Sequence, residues 1–189
     1  ITGYVYGPVG TADENNKMRY GYIYIYKQNG DFVAYSHVSR EGKFKLTDIE
    51  DGNYKLKAWP DGNSQYVESD YINFKVQNGV STGGTLAVNL MTASINGTVY
   101  DPSGQNPQKY GWIEIKEEDT GYWVDGTSAD GNGNFRIGKL DAGKYTLIAY
   151  PDWRSQYSRS KETVIEIDNN GNCIDPGSPV SIKLSAIQL

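Results

Sequence analysis

Tyr22, Tyr24 and Tyr26 alternate along the run Tyr22-Ile23-Tyr24-Ile25-Tyr26. In an extended chain this sets the three phenol rings on one face and Ile23 and Ile25 on the other. At roughly 3.4 Å per residue the three rings form a flat stripe of about 13 Å. Flat aromatic faces stack on sugar rings, whose C–H groups meet the π surface while polar groups at the ring edge take hydroxyls. A second candidate is the segment Trp59-Pro60-Asp61-Gly62-Asn63-Ser64-Gln65-Tyr66, which returns as Tyr150-Pro151-Asp152-Trp153-Arg154-Ser155-Gln156-Tyr157. Each version offers an aromatic platform (Trp59 or Tyr150), a carboxylate (Asp61 or Asp152), an amide (Gln65 or Gln156) and a further ring (Tyr66 or Tyr157). The second version adds Trp153. A stacking face with a few hydrogen-bonding groups is what a glycan site needs.

Both candidates also have a reading without a ligand. Tyrosine suits exposed strands, and a ring stripe can pack against a neighbouring domain. In the loop, proline stiffens the turn, Asp or Ser caps it, and the second tyrosine plugs the end of the fold. Other chemistry has less to stand on. Asp168, Asn170, Asn172 and Asp175 could offer oxygens to Ca²⁺, and Asp130, Asn132 and Asn134 form a similar triplet. Neither has the glycine and distal glutamate of an EF-hand loop, so both read as hairpin turns and no cofactor is expected. His37 is the only histidine and Ser128 stands in its place in the second copy. There is no nucleophile elbow, His/Cys metal cluster or phosphate loop, so no enzyme and no catalytic residue is expected.

The elements that must position these side chains occur twice. Ile1-Thr2-Gly3-Tyr4-Val5-Tyr6-Gly7-Pro8 returns as Ile95-Asn96-Gly97-Thr98-Val99-Tyr100-Asp101-Pro102. Tyr20-Gly21-Tyr22-Ile23-Tyr24-Ile25 returns as Tyr110-Gly111-Trp112-Ile113-Glu114-Ile115, and Asp51-Gly52-Asn53-Tyr54-Lys55-Leu56 as Ala142-Gly143-Lys144-Tyr145-Thr146-Leu147. The offset drifts only between 90 and 94 residues. A period of that length means two complete domains in tandem, expected at 1–91 and 95–189 with a linker at 92–94. Such a short linker without Gly or Pro predicts a limited range of orientations. Short alternating runs separated by Asn-Gly, Asp-Gly and Gly-Asn turns predict antiparallel strands, around seven per copy, and an all-β sandwich in each. The inward sets are Ile23 and Ile25; Phe44 and Leu46; Tyr54, Leu56 and Ala58; Ile72, Phe74 and Val76; and Leu86, Val88 and Leu90. The second copy supplies Phe135 and Ile137; Tyr145, Leu147 and Ala149; Ile165 and Ile167; and Val180, Ile182 and Leu184.

The copies can also be read against each other. Tyr22, Tyr24 and Tyr26 have Trp112, Glu114 and Lys116 as counterparts. A face that carries charge in one copy is solvated there, which predicts that it is exposed in the other. A net charge of −5 argues against nucleic acid as a partner. No apolar run approaches the roughly 20 residues needed to span a bilayer, so no membrane insertion is expected. Cys173 is the only cysteine, which excludes an intrachain disulfide and leaves the redox compartment open. The chain starts at Ile1 inside a repeat, and Leu184-Ser185-Ala186-Ile187 echoes Leu90-Met91-Thr92-Ala93-Ser94-Ile95. This predicts a piece of a longer multidomain protein, with other domains of the same chain as its neighbours.

Gly97-Thr98-Val99-Tyr100-Asp101-Pro102-Ser103-Gly104, Ala129-Asp130-Gly131-Asn132-Gly133-Asn134-Phe135 and Leu140-Asp141-Ala142-Gly143-Lys144-Tyr145-Thr146-Leu147 together resemble the carboxypeptidase-regulatory-like domain. That family is similar to the Cna protein B-type domains of bacterial surface proteins. The first copy carries the same order from Gly3 to Pro8, in Glu41-Gly42-Lys43-Phe44 and from Asp51 to Leu56. The resemblance implies a prealbumin-like, transthyretin-like sandwich in a secreted or cell-surface bacterial protein. It implies non-catalytic modules of secreted enzymes, adhesins or surface proteins; together with the exposed aromatics read above, the expected role is spacing and presentation with weak polysaccharide binding. A dedicated carbohydrate-binding module and a purely structural stalk are the alternatives. Some Cna B-type domains carry a Lys–Asn or Lys–Asp isopeptide bond assisted by a buried Glu. Here Asn89 and Lys183 occupy last strands, but the first strands lack Lys and Tyr54 to Ala58 and Tyr145 to Ala149 lack an inward Glu. No cross-link is expected: intact mass spectrometry should return the unmodified mass, and a deficit of about one ammonia per domain would contradict this.

Overall fold

The computed structural model describes residues 1–62 and 64–187, so Asn63 of the loop candidate lies outside the described residues. The described chain is all-β and divides into two compact units, Ile1–Thr92 and Ala93–Leu189. Of the segment 92–94, Thr92 pairs with Tyr66 in the first unit. Ser94 belongs to the second, where its amide donates to the Ile137 carbonyl at 3.0 Å and its hydroxyl accepts from Leu140 N at 3.1 Å.

The first unit runs β1 (Thr2–Tyr6), β2 (Tyr22–Lys27), β3 (Phe32–His37), β4 (Lys43–Lys45), β5 (Gly52–Trp59), β6 (Tyr66–Val67), β7 (Ile72–Gln77), β8 (Val80–Ser81), β9 (Leu86–Asn89) and β10 (Met91–Thr92). The second repeats it as β11 (Ile95–Tyr100), β12 (Trp112–Glu117), β13 (Trp123–Ser128), β14 (Asn134–Ile137), β15 (Gly143–Tyr150), β16 (Tyr157–Ser158), β17 (Thr163–Ile167), β18 (Cys173–Asp175), β19 (Val180–Lys183) and β20 (Ser185–Ala186). The count exceeds the expected seven because β6, β8, β10, β16 and β20 are two-residue strands, too short to show alternation. In each unit a five-stranded antiparallel sheet, β3-β2-β5-β7-β8 or β13-β12-β15-β17-β18, faces a three-stranded sheet, β4-β1-β9 or β14-β11-β19. One pairing departs from the antiparallel expectation. β1 runs parallel to β9, and β11 to β19. A parallel pair needs a long crossover, and here the rest of each unit supplies it.

The inward sets meet between the sheets. Val5, Phe44 and Val88 from the smaller sheet close on Ile23, Ile25, Leu56, Phe74 and Val76 from the larger one. The second core repeats this with Val99, Phe135 and Ile182 on Ile113, Ile115, Leu147, Ile165 and Ile167, and it also buries Cys173. Burial raises the pKa of that thiol. Tyr54 and Tyr145 point inward, and their hydroxyls donate to the Glu50 and Asp141 carbonyls at 3.0 and 2.9 Å. The polar tip of each buried ring is thereby satisfied.

The glycines of the recurring motif have a steric role. Gly3 lies opposite Phe44 and Gly97 opposite Phe135 in the β-ladders. Each phenylalanine ring lies across its glycine: a Cβ on Gly3 would sit 2.3 Å from Phe44 Cζ, and one on Gly97 2.2 Å from Phe135 Cζ. Backbone carbonyls, Leu86 O and Val180 O, stand 2.6 Å away on the other side, so the clash cannot be relieved by a flexible side chain alone. We expect Gly97→Ala to destabilise the second unit by about 1–3 kcal/mol, the range for overpacking a filled core. Urea unfolding of the variant against the parent chain measures it.

Candidate functional site

The outward face of the first five-stranded sheet gathers more rings than the tyrosine stripe alone. Strand pairing sets His37, Tyr35 and Phe32 of β3 beside Tyr22, Tyr24 and Tyr26, with a register shift between Ile25 and Tyr26. On the other side, β5 sets Trp59, Lys57 and Lys55 beside the same three tyrosines. Ring centroids lie 4.8 Å apart for Tyr22–His37, 6.1 Å for Tyr24–Tyr35 and 6.1 Å for Tyr26–Phe32. Tyr71, just before β7, meets Tyr26 edge-on at 6.0 Å. The stripe is therefore a patch, and it is not flat. Only Tyr24 and Tyr35 stack, at 26°, whereas Tyr26 meets Phe32 and Tyr71 at 73° and 82°. Edge-to-face contact is favoured by the ring quadrupoles, which tilts closely spaced rings out of a common plane. Tyr35 is 57% exposed and Trp59 42%, while Tyr24 and Tyr26 are half-buried by their neighbours. Burial raises the pKa of the Tyr26 hydroxyl.

The same face of the second unit is built differently. The Trp112 ring lies over Gly126 of β13, where a Cβ would come within 2.1 Å of Trp112 Cζ2. Trp112 remains 45% exposed and pairs across the strands with Tyr150. The Tyr150 hydroxyl donates to Glu114 Oε2 at 3.0 Å, and Lys116 Nζ lies 3.1 Å from the same oxygen. Tyr22 and Trp59 thus recur as Trp112 and Tyr150: one Trp and one Tyr per unit, on exchanged strands. The backbone supports both pairs alike. Tyr20 and Tyr110 adopt left-handed conformations, with φ of 61° and 57°. The glycines that follow pack against the strand ends: a Cβ on Gly21 would meet Trp59 O at 2.3 Å, and one on Gly111 would meet Tyr150 O at 2.7 Å.

Because Trp59 and Tyr150 close β5 and β15, they join the sheet faces, and the rest of the loop candidate has other engagements. Ser64 N donates to the Asp61 carbonyl at 2.8 Å, and Tyr66 N to Ser64 Oγ at 3.1 Å. Gln65 Nε2 donates to the Tyr66 hydroxyl at 2.9 Å, and that hydroxyl donates to Asp13 in the loop after β1. In the second unit Ser155 N donates to the Asp152 carbonyl, Arg154 N to Asp152 Oδ1 and Gln156 Nε2 to the Tyr157 hydroxyl, at 2.8, 3.0 and 3.4 Å. Tyr66 and Tyr157 pack against their cores. Trp153 stands out, 83% exposed with the Arg154 guanidinium 4.6 Å from its ring centre.

Asp168 Oδ1 accepts the amides of Asn170 and Asn172 at 2.8 and 2.9 Å, and Asp130 Oδ1 does the same for Asn132 and Asn134. The amide donated by Asn172, with that of Asn170, holds the Asp168 carboxyl below its usual pKa. Asp175 lies in β18 opposite Glu166. Among the described residues no group of three or more His, Cys, Asp or Glu is arranged to hold a metal ion. No helix among them is long and apolar enough to cross a membrane.

No family model matches the chain. The serine-aspartate repeat-containing protein E of Staphylococcus aureus is 23% identical over 139 residues, covering 63% of this chain and 12% of that protein. A bone sialoprotein-binding protein from the same organism matches with the same identity and coverage. The match thus spans about an eighth of the length of these curated relatives. The chain resembles the domains of bacterial surface proteins. Among solved structures, the shaft pilin SpaA of Lactobacillus rhamnosus GG aligns with TM-score 0.39 and 12% identity, covering 100% of this chain and 98% of that one. The minor pilin GBS52 of Streptococcus agalactiae aligns with TM-score 0.35 and 14% identity, covering 100% and 96%. Likenesses at that score do not extend to function. The expected extracellular or cell-surface location agrees with the curated relatives.

The Tyr66–Asp13 bond links the loop after β1 to β6 through one carboxylate. The Tyr66 hydroxyl, followed by the Asn16 amide, lowers the Asp13 pKa below its ordinary 3.8. A depressed carboxyl pKa contributes stability that is complete above the ordinary value and is lost as pH falls through the folded one. Tyr66→Phe should therefore lower the first unit's melting temperature at neutral pH and flatten its further loss below about pH 3.8. Calorimetry between neutral pH and strong acid measures both.

Proposed function

We propose that the two units are a non-catalytic module pair of a bacterial surface protein. They act as spacers, and the first unit presents its aromatic sheet face to a polysaccharide. One observation supports this most: Tyr22, Tyr24, Tyr26, Phe32, Tyr35, Trp59 and Tyr71 form one continuous outward patch, with five of the seven rings exposed to water. Large clustered aromatic patches on a soluble unit mark a binding surface more often than scattered rings do. Trp112 with Tyr150 in the second unit gives a smaller platform of the same kind. The likeness to relatives with adhesive and repeat-bearing names supports the spacer role. One relative is named for binding bone sialoprotein, which makes a protein ligand the contrasting outcome.

Affinity electrophoresis and calorimetry of the whole chain against a polysaccharide panel test the proposal. At least one polymer should retard the chain, and Tyr24→Ala and Trp59→Ala should each weaken binding by about tenfold, with unfolding midpoints that show the variants fold. Retardation by no polymer would leave a spacer alone.

A further inference from the structure

The ring patch of the first unit lies on a sheet whose charge is sorted by sign. Strands β2, β3, β5, β7 and β8 carry Lys27, Lys55, Lys57, Lys75 and His37, and no carboxylate. Yet Ile1–Thr92 as a whole holds nine Lys and Arg against ten Asp and Glu. The unit's acids lie in its turns and loops. The equivalent sheet of the second unit reverses this, with Glu114, Glu117, Asp125, Glu166 and Asp175 against Lys116 and Lys144.

Two of the lysines belong to the patch itself. Lys55 and Lys57 share the outward face with Tyr26 and Tyr24, their partners across the strands. Lys55 Nζ stands 4.9 Å from the Tyr71 ring centre, and Lys57 Nζ 5.2 Å from that of Trp59. Both ammonium groups therefore lie within the patch, close enough to its rings to meet charged substituents of a ligand stacked on the neighbouring tyrosines. Lys57 is partly neutralised by Glu68, 3.2 Å away at the margin of the face. The second-unit counterparts of Lys55 and Lys57 are Thr146 and Ile148, uncharged and buried.

We infer that this face binds an acidic polysaccharide, whose sugar rings stack on the aromatic patch while their carboxylates meet Lys55 and Lys57. The inference rests on the polysaccharide reading above and adds the sign of the polymer's charge. Surface charges interact weakly and are screened within about 10 Å at 0.1 M salt, so binding should weaken as salt is raised. Glu68 then acts as a brake, since its carboxylate competes with the polymer for Lys57.

The test compares alginate and polygalacturonate with neutral hydroxyethylcellulose and with a thymidine oligonucleotide, using affinity electrophoresis and calorimetry on the whole chain. The acidic polysaccharides should bind most tightly and lose affinity with salt. Lys55→Gln should weaken them by about two- to fivefold, the scale of one solvent-accessible charge pair. Glu68→Gln should strengthen them, an outcome that general loss of structure cannot produce. Neither change should alter binding of the neutral polymer. If hydroxyethylcellulose binds as well as alginate, or Lys55→Gln has no effect, the charge inference fails while the polysaccharide reading stands. If no polysaccharide binds, both fail. Equal retention of the oligonucleotide would show a general polyanion surface and overturn the inference.

Discussion

Each unit is organised around a phenylalanine ring folded over a glycine on the neighbouring strand. Phe44 covers Gly3 and Phe135 covers Gly97, with carbonyl oxygens of β9 and β19 closing the other side. The ring fills the space that a side chain on the central strand of the small sheet would otherwise take, and it is fully buried. A protein core packs to nearly crystalline density, so that ring sets how closely the two sheets approach and which inward residues of the larger sheet it meets. With the interior specified this way, the outward face of the larger sheet is left with few packing duties. It is there that the two copies diverge.

The inward sets were legible because period-two alternation survives in any strand longer than about four residues. The motif glycines could be located but not explained, since the sequence does not show which ring crosses them. Tertiary pairing carried what was missed. Phe32, Tyr35 and Tyr71 joined the tyrosine stripe only once the hairpin register and the β5–β7 pairing were known. The Asn29-Gly30 turn followed by Phe32-Val33-Ala34-Tyr35-Ser36-His37 did carry a signal for the first two. The partner of Tyr66 was beyond reach, because Asp13 is 53 residues away in a loop of irregular structure. Alternation is also silent on direction, so the parallel strands could not be distinguished from antiparallel ones.

The outward face of the larger sheet carries different residue types in the two copies. Glu114 and Lys116 do mark an outward face, but they pair with each other, and Glu114 also accepts from the Tyr150 hydroxyl. The second unit covers its sheet with its own charges, over the buried Thr146 and Ile148. The first leaves rings and lysines there instead. One frame has thus produced an aromatic, basic face and one that carries a Glu114–Lys116 ion pair, while both retain a Trp and a Tyr at the same cross-strand position. Exchange of the two residue types between strands preserves ring area where the backbone approaches closely at Gly21 and Gly111.

The parallel pairing of the first and ninth strands has a mechanical side. A unit is entered through β1 and left after β9 by way of one two-residue strand, β10 or β20, and β1 and β9 lie side by side pointing the same way. Tension on the ends of the unit therefore pulls the pair in opposite directions along their common axis. Gly3 to Tyr6 and Leu86 to Asn89 must slide past one another, so the hydrogen bonds between them carry the load together instead of opening one at a time. Forced unfolding is governed by the rate of crossing such a barrier, and shear across a whole ladder raises it. Resistance to pulling is thus built into the order in which the chain visits its strands.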